Sequence, residues 1–96
     1  MAVELQLVVD ADGCPVKDEV VKVAKRLGFA VIFVANRKMR IPQGPRCRLQ
    51  VVADLFDAAD DWIAENCDAK TVVVTGDIPL AARCVAAGSE VVSPHG

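Results

Sequence analysis

Short apolar runs alternate along the chain with segments in which apolar residues recur every three or four positions. The runs are typical of buried strands, and the wider spacing is typical of helices with one buried face. Five segments are predicted as strands: residues 5–9, 30–35, 49–53, 71–75 and 90–93. The fourth of these segments, TVVVT, gives the strongest strand signal of the chain.

Three helices are predicted in the periodic segments: residues 15–27, 57–66 and 78–87. Pro15 suits a first helical turn because its missing N–H has no partner there, and Gly28 suits the position just past the end. Either Asp54 or Asp57 can cap the second helix. The order of strands and helices predicts an α/β protein with a mainly parallel sheet of four to five strands.

Composition indicates one folded domain. The 96 residues suffice for a single compact domain, and a hydrophobic share of 53% argues against disorder. No apolar run reaches the ~20 residues of a membrane span, and no basic stretch precedes an apolar one at the amino terminus, so we expect a cytoplasmic protein. The net charge of −2 excludes a nucleic-acid binder that acts through its overall charge, and leaves only local binding.

Aspartates follow two of the most apolar strands. Asp10 and Asp77 each come just past a strand, where ligands gather in open parallel sheets. Asp12 would face the same side as Asp10 if the chain stays extended. Asp57 and Asp60 lie three residues apart on one face at a helix start. Converging carboxylates repel and need a proton or a cation, so this pattern predicts a site for Mg²⁺ or Mn²⁺.

Helix capping is the alternative explanation for these aspartates. Capping alone would account for Asp57 and Asp60, and Asp12 could also be only a cap. It does not explain why Asp10 and Asp77 both end apolar strands if those strands are central neighbours. For that pair the sequence favours a functional role.

A basic loop is predicted over residues 36–48, which Pro42 and Gly44 interrupt. It is either an ordinary solvated loop or a phosphate-contacting arm beside the acidic residues. Asn36 ends a strand in the same layer as the aspartates and could orient a substrate or a metal-bound water. The loop contains no aromatic residue that could stack on bases. Its candidate substrate-binding residues are Asn36, Arg37, Lys38 and Arg40.

The four cysteines, Cys14, Cys47, Cys67 and Cys84, form neither a CxxC nor a Cys/His pair, so no structural zinc site is expected. We expect reduced thiols that pack as small apolar residues. The single histidine, His95, lies next to the last residue and receives no predicted role.

The motifs VDADGCPVK, VAN, DAADDWI, VVVTGDIPLA and SPHG, in this order, resemble the YaiI/YqxD family. This is a family of bacterial proteins of unestablished function, whose fold is related to PIN-like (NYN-type) nuclease domains. The resemblance implies a Rossmann-like three-layer fold and an acidic divalent-metal site. The metal-binding and catalytic roles that it implies fall on Asp10, Asp12, Asp60 and Asp77, with Asp57 beside them and Asn36 at the rim.

Family members generally continue past SPHG with a basic, helical stretch. The resemblance therefore implies that residues 1–96 are a single PIN-like domain without this extension, as a short form or a fragment.

Three functions remain open. The first is a metal-dependent phosphodiesterase of PIN-like type, acting on RNA, in which Asp10, Asp60 and Asp77 hold Mg²⁺ or Mn²⁺. The second is a phosphatase of the haloacid dehalogenase type: VVDADG resembles its DxDG signature, with Asp10 as nucleophile and Asp12 as general acid/base, although residues 78–83 lack the expected further acidic residue. The third is a non-catalytic module that binds RNA or a partner protein. The Val- and Ala-rich composition also suggests a homodimer formed through helices.

Overall fold

The structure is a computed structural model that describes residues 5–44 and 46–94. Its strands are β1 (Gln6–Asp10), β2 (Ala30–Ala35), β3 (Cys47–Val51), β4 (Thr71–Val74) and β5 (Glu90–Val92). Its α-helices are α1 (Lys17–Leu27), α2 (Ala58–Asn66) and α3 (Ile78–Ala86), and a short 3₁₀ helix, Ala11–Gly13, lies between β1 and α1.

The strands form one parallel sheet in the order β3-β2-β1-β4-β5. The chain adds β2 and β3 on one side of β1 and then returns to add β4 and β5 on the other side. The strand order therefore reverses between β1 and β4, where Val8 is paired with Val73. In open α/β sheets, ligands bind beyond the carboxyl ends of the strands at such a point. The predicted α/β fold with a mainly parallel sheet is confirmed, and the architecture is Rossmann-like.

Helices cover both faces of the sheet, because successive residues of a strand point to opposite faces. On one face, Val21 of α1 packs in a core cluster with Val9. On the other face, Ile63 of α2 and Leu80 of α3 pack in a cluster with Val8. The result is the three-layer arrangement that the family resemblance implies. None of the helices in the described part of the chain is long and apolar enough to cross a membrane.

The ends of α1 differ in how well the sequence predicts them. The helix begins at Lys17, two residues after the predicted start at Pro15. Its carboxyl end is as predicted: Gly28 has the left-handed conformation, with φ 78°, and its N–H donates to the carbonyl of Ala24. A glycine adopts this conformation without the strain that a Cβ would add.

The third strand begins earlier than predicted. It runs over Cys47–Val51 instead of residues 49–53, and the basic loop is correspondingly shorter. The pairing with β2 explains the shift, because Val31 is aligned with Cys47 and its N–H donates to the carbonyl of Arg46 at 2.9 Å. Cross-strand hydrogen bonds, which the sequence does not display, thus extend the strand into the basic segment.

The cysteines are free thiols, as predicted. Cys14, Cys67 and Cys84 are buried, and Cys47 is half-buried. Burial, together with the neighbouring Cys67, raises the pKa of Cys84 to about 12, so this side chain stays a neutral thiol at physiological pH. The thiols of the core therefore act as small apolar groups. His95 lies outside the described residues.

Candidate functional site

Asp10 is the last residue of β1 and lies where the strand order reverses. Its Oδ2 accepts a hydrogen bond from the hydroxyl of Thr75, the buried residue just past β4, at 3.1 Å. Burial raises the pKa of Asp10 above its usual value of 3.8, the Thr75 hydrogen bond partly offsets this rise, and the charges of Asp12 and Asp77 add to it. Asp10 is therefore a carboxyl group in a fixed orientation beside two other negative charges.

Asp77 reaches the same crevice from β4. Its backbone N–H donates to the hydroxyl of Thr75 at 3.1 Å, so one hydroxyl links the ends of β1 and β4. Its Oδ1 accepts a hydrogen bond from the N–H of Leu80 at 3.0 Å and caps α3. Because β1 and β4 are neighbours, Asp10 and Asp77 come together as the sequence predicts.

The start of α2 corrects the predicted capping. Asp57 occupies the N-cap position of α2, but its side chain makes no capping hydrogen bond and its backbone is left-handed, with φ 63°. Asp54 lies outside the N-cap position. The predicted N-cap position is therefore confirmed for Asp57, but the capping hydrogen bond expected from its side chain is not formed. The aspartate that does cap a helix is Asp77, for which the sequence favours a functional role.

Asp60 lies in the first turn of α2 and belongs electrostatically to the same site. Burial raises the pKa of Asp60, and the charges of Asp77, Asp10 and Asp57 raise it further, whereas Arg83 lowers it. The carboxylates of Asp10, in β1, and Asp77, after β4, therefore act electrostatically on Asp60, which lies in the helix layer. The structure thus brings together Asp10, Asp60 and Asp77, the three residues predicted to be catalytic.

Asp12 lies at the margin of this group. The chain turns into the 3₁₀ helix directly after β1, so the assumption of an extended chain from Asp10 to Asp12 is wrong. Asp12 is exposed and does not cap α1, whose N-cap residue is Val16. Its charge nevertheless raises the pKa of Asp10, which places it close to the site without burying it.

The carboxylates lack a paired cation in the described part of the chain. Arg83, which lowers the pKa of Asp60, forms its ion pair with Asp61 at 2.9 Å. Carboxylate oxygens are the ligands that Mg²⁺ and Mn²⁺ prefer, so the donors fit such an ion in kind and in charge. Among the described residues, no three His, Cys, Asp or Glu side chains are placed so that they could hold a metal ion together. An ion would therefore need water molecules to complete its coordination, as Mg²⁺ commonly has.

Asn36 follows β2 and holds the segment before α2. Its Nδ2 donates to the carbonyl of Ala53 at 3.0 Å and to the carbonyl of Leu55 at 3.3 Å. Both amide hydrogens are thus engaged with the backbone. The substrate-binding role of Asn36 stays a prediction. Because Nδ2 is engaged, a substrate contact would use the Oδ1 oxygen.

The basic residues that follow β2 are exposed. Arg37 lies 3.7 Å from Asp54 in an ion pair whose side chains are 80% and 68% exposed, a geometry that contributes little to stability. Lys38 is exposed, and Arg40 lines an open groove of about 400 Å³ at the start of α1. None of these three side chains offsets the raised pKa of Asp10 or Asp60. Their contact with phosphate stays a prediction.

Sequence reasoning missed two features of the site. Thr75 was predicted only as a strand residue, although a polar residue at the end of an apolar strand is itself a signal. Large apolar side chains also flank the acidic residues: Leu55 is 69% exposed, Phe56 is 94% exposed and Ile78 is 80% exposed. The sequence could have indicated the exposure of Phe56, because this residue lies after the predicted third strand and before the residues predicted for the buried face of α2.

Comparisons with known proteins give the family of the chain. A sequence model described as "Uncharacterized BCR, YaiI/YqxD family" matches residues 8–96. A UPF0178 protein of Rhizobium etli is 57% identical over 88 residues, which cover 92% of this chain and 57% of the relative. UPF0178 proteins of Bradyrhizobium sp. and Agrobacterium fabrum are each 52% identical, over 96% and 95% of this chain.

The chain spans only 56–60% of the length of these curated relatives. No solved structure matches it. The family match covers nearly the whole chain and includes every acidic residue of the site. The chain therefore belongs to the YaiI/YqxD family of uncharacterised proteins.

Proposed function

We propose that this chain carries the acidic site of a metal-dependent phosphodiesterase of PIN-like type that acts on RNA. The proposal is carried by one observation, the convergence of carboxyl groups at the reversal of strand order, where burial and neighbouring negative charges raise the pKa of Asp10 and of Asp60. Asp77 raises the pKa of both Asp10 and Asp60, and Asp10 also raises that of Asp60. Such repulsion destabilises the fold unless a cation binds, which is expected of a site kept for function.

In this proposal Asp10, Asp60 and Asp77 hold Mg²⁺ or Mn²⁺, with Asp12 and Asp57 at the margin of the site. A bound ion of this kind stabilises negative charge on a phosphoryl group and lowers the pKa of water. Thr75 fixes the orientation of Asp10 through its hydrogen bond. The contribution of the chain itself is thus a set of pre-oriented carboxylates.

Asp60 would contribute a carboxylate whose charge is costly without a cation, because burial and the charges of Asp77, Asp10 and Asp57 raise its pKa. The positive charges of Arg37, Lys38 and Arg40 would contact flanking phosphates of the RNA.

The test compares the wild-type chain with Asp10→Asn. We expect the wild type to bind Mn²⁺ in calorimetric titration and to cleave a single-stranded RNA oligonucleotide, and Asp10→Asn to lose roughly 100-fold or more of that cleavage rate. Asp61→Asn is the matched control, because Asp61 is exposed, adjacent to Asp60 in sequence and paired with Arg83. That variant should stay within about twofold of the wild type.

Absence of both Mn²⁺ binding at millimolar concentration and RNA cleavage would contradict the proposal. Release of phosphate from a monoester, with a fluoroberyllate adduct on Asp10, would instead identify the haloacid dehalogenase-type phosphatase. RNA binding that persists in EDTA without cleavage under any metal would identify a non-catalytic module.

A further inference from the structure

Phe56 is the most exposed large apolar side chain beside the acidic site. It is 94% exposed, whereas the other two phenylalanines are buried or half-buried. It directly precedes Asp57, the N-cap residue of α2, whose charge acts on Asp60. An aromatic ring therefore stands in solvent one residue away from the edge of the carboxylate group.

The backbone around Phe56 is held in place from two sides. The side-chain amide of Asn36 donates to the carbonyl of Leu55 at 3.3 Å, and the N–H of Ala58 donates to the same carbonyl at 3.1 Å. The next residue, Asp57, adopts the left-handed conformation, with φ 63°. The hydrogen bonds fix the direction of the chain on both sides of Phe56, so its ring is presented from an ordered segment.

A positive charge lies near the start of the same segment. Arg37 is 80% exposed and reaches Asp54 at 3.7 Å, two residues before Phe56. Along the segment 54–57 the chain thus presents an ion pair with an exposed cation, an exposed aromatic ring and then the first aspartate of the acidic group. Proteins that bind single-stranded nucleic acids combine an aromatic ring with a cation, because the ring stacks on a base and the cation contacts the backbone phosphate.

We propose that Phe56 is the stacking platform for an unpaired base of a single-stranded nucleic acid and that Arg37 contacts a neighbouring phosphate. This inference rests on the proposed function and specifies its substrate as single-stranded. A base paired within a duplex cannot offer its face to the ring, so duplexes should not use this contact. The alternative occupant of the ring, a second copy of this chain, is an outcome of the test.

The test measures binding in the Asp10→Asn background, which separates recognition from cleavage. The probes are a fluorescent single-stranded RNA and its blunt duplex, and the readout is fluorescence anisotropy. Phe56→Ala should weaken single-strand binding about tenfold or more, and Phe56→Trp should preserve it. Leu55→Ala is the matched control: it removes a neighbouring exposed apolar side chain and should leave binding within about twofold. Duplex binding should be the same in all variants.

Equal binding of the single strand by Phe56→Ala and its parent would overturn the inference, and so would equal losses in Phe56→Ala and Leu55→Ala. Self-association that Phe56→Ala abolishes, with RNA binding unchanged, would assign the ring to a dimer interface and overturn it as well. Phe56-dependent binding by a wild-type chain that cleaves nothing would refute the catalytic proposal and leave the stacking role in place. RNA cleavage that does not depend on Phe56 would support the catalytic proposal and refute the stacking role of Phe56.

Discussion

Strands β1 and β4 carry a polar cluster at each end, and the two clusters are built in opposite ways. At the amino end, the hydroxyl of Thr71 accepts from Nε2 of Gln6 at 3.2 Å and donates to Oδ1 of Asp68 at 3.0 Å. The N–H of Lys70 donates to the same Oδ1 at 2.8 Å, and the hydroxyl of Ser89 donates to the carbonyl of Asp68 at 2.7 Å. In this cluster the single carboxylate is matched by donors.

At the carboxyl end, carboxylates face one another instead. Asp10 receives one side-chain hydrogen bond, from Thr75, while burial raises its pKa and the charges of Asp12 and Asp77 raise it further. Asp60 accepts no hydrogen bond from the described residues, and its own pKa is raised by burial and three neighbouring carboxylates. The comparison teaches that an aspartate beside a strand end is structural when donors surround it. It becomes a candidate for chemistry when other negative charges do.

The largest expected effect comes from breaking the amino-end cluster. Thr71→Val keeps the shape of this buried side chain but removes the hydroxyl, so Asp68 and Gln6 each lose a hydrogen-bond partner. We expect the free energy of unfolding to fall by about 2 kcal/mol, measured by urea denaturation. Mn²⁺ binding by the folded variant should not change, because the substitution lies at the opposite end of the strands.

Thr71→Ser is the control for this prediction, since it keeps the hydroxyl and removes only a methyl group. It should lose about 1 kcal/mol or less. A loss as large as that of Thr71→Val would show that packing of the methyl group, and not the hydrogen-bond network, makes the amino-end cluster stabilising.

A smaller effect should separate the two roles of Asp77 at the carboxyl end. Asp77→Ala removes the hydrogen bond that caps α3 and should cost about 1 kcal/mol of unfolding free energy. Asp77→Asn keeps the capping oxygen and removes the charge, so thermal unfolding should show no loss. Both variants should weaken Mn²⁺ binding in calorimetry. A metal affinity that only the alanine variant loses would mean that Asp77 acts through the helix cap and not through its charge.

The regular elements were largely predictable because their signals are local. The second strand, Ala30–Ala35, is as predicted, since an unbroken apolar run lies between Gly28 and Asn36. The third strand was placed two residues late, because Cys47 and Arg48 continue the basic loop in composition. Only the pairing with β2 shows that these residues are extended, and such pairing is a property of the fold.

The aspartates of the site show where sequence reasoning fails. Asp57 and Asp77 both precede helices, and only backbone conformation decides which one caps its helix: the left-handed Asp57 makes no capping bond, and the extended Asp77 does. The convergence of Asp10 with Asp77 was predictable from the two apolar strands, whereas for Asp60 the residues alone left helix capping open and the family resemblance implied the metal-binding role. Phe56 lies in the turn before α2, and apolar periodicity does not reveal that its side chain is exposed.

The smallest effect should come from removing one charge of the acidic cluster. Asp10→Asn keeps an oxygen that can accept from Thr75 and removes a partly buried charge, together with its repulsion by Asp12 and Asp77. Because the site is partly open to solvent, which screens these charges, we expect a gain of only about 0.5 kcal/mol in unfolding free energy near neutral pH. The same variant should lose Mn²⁺ binding, so stability and function change in opposite directions.

The pH dependence of this gain tests its cause. The pKa of Asp10 is raised in the folded protein above 3.8, so protonation of Asp10 favours the fold. That contribution is complete below 3.8 and is lost as the pH rises through the raised pKa. The wild type should therefore match Asp10→Asn in acid and fall behind it as the pH approaches neutrality, when both are compared by urea denaturation. An advantage of equal size across that range would mean that the amide stabilises the site through packing or hydrogen bonding and not through removal of the partly buried, repelled charge of Asp10.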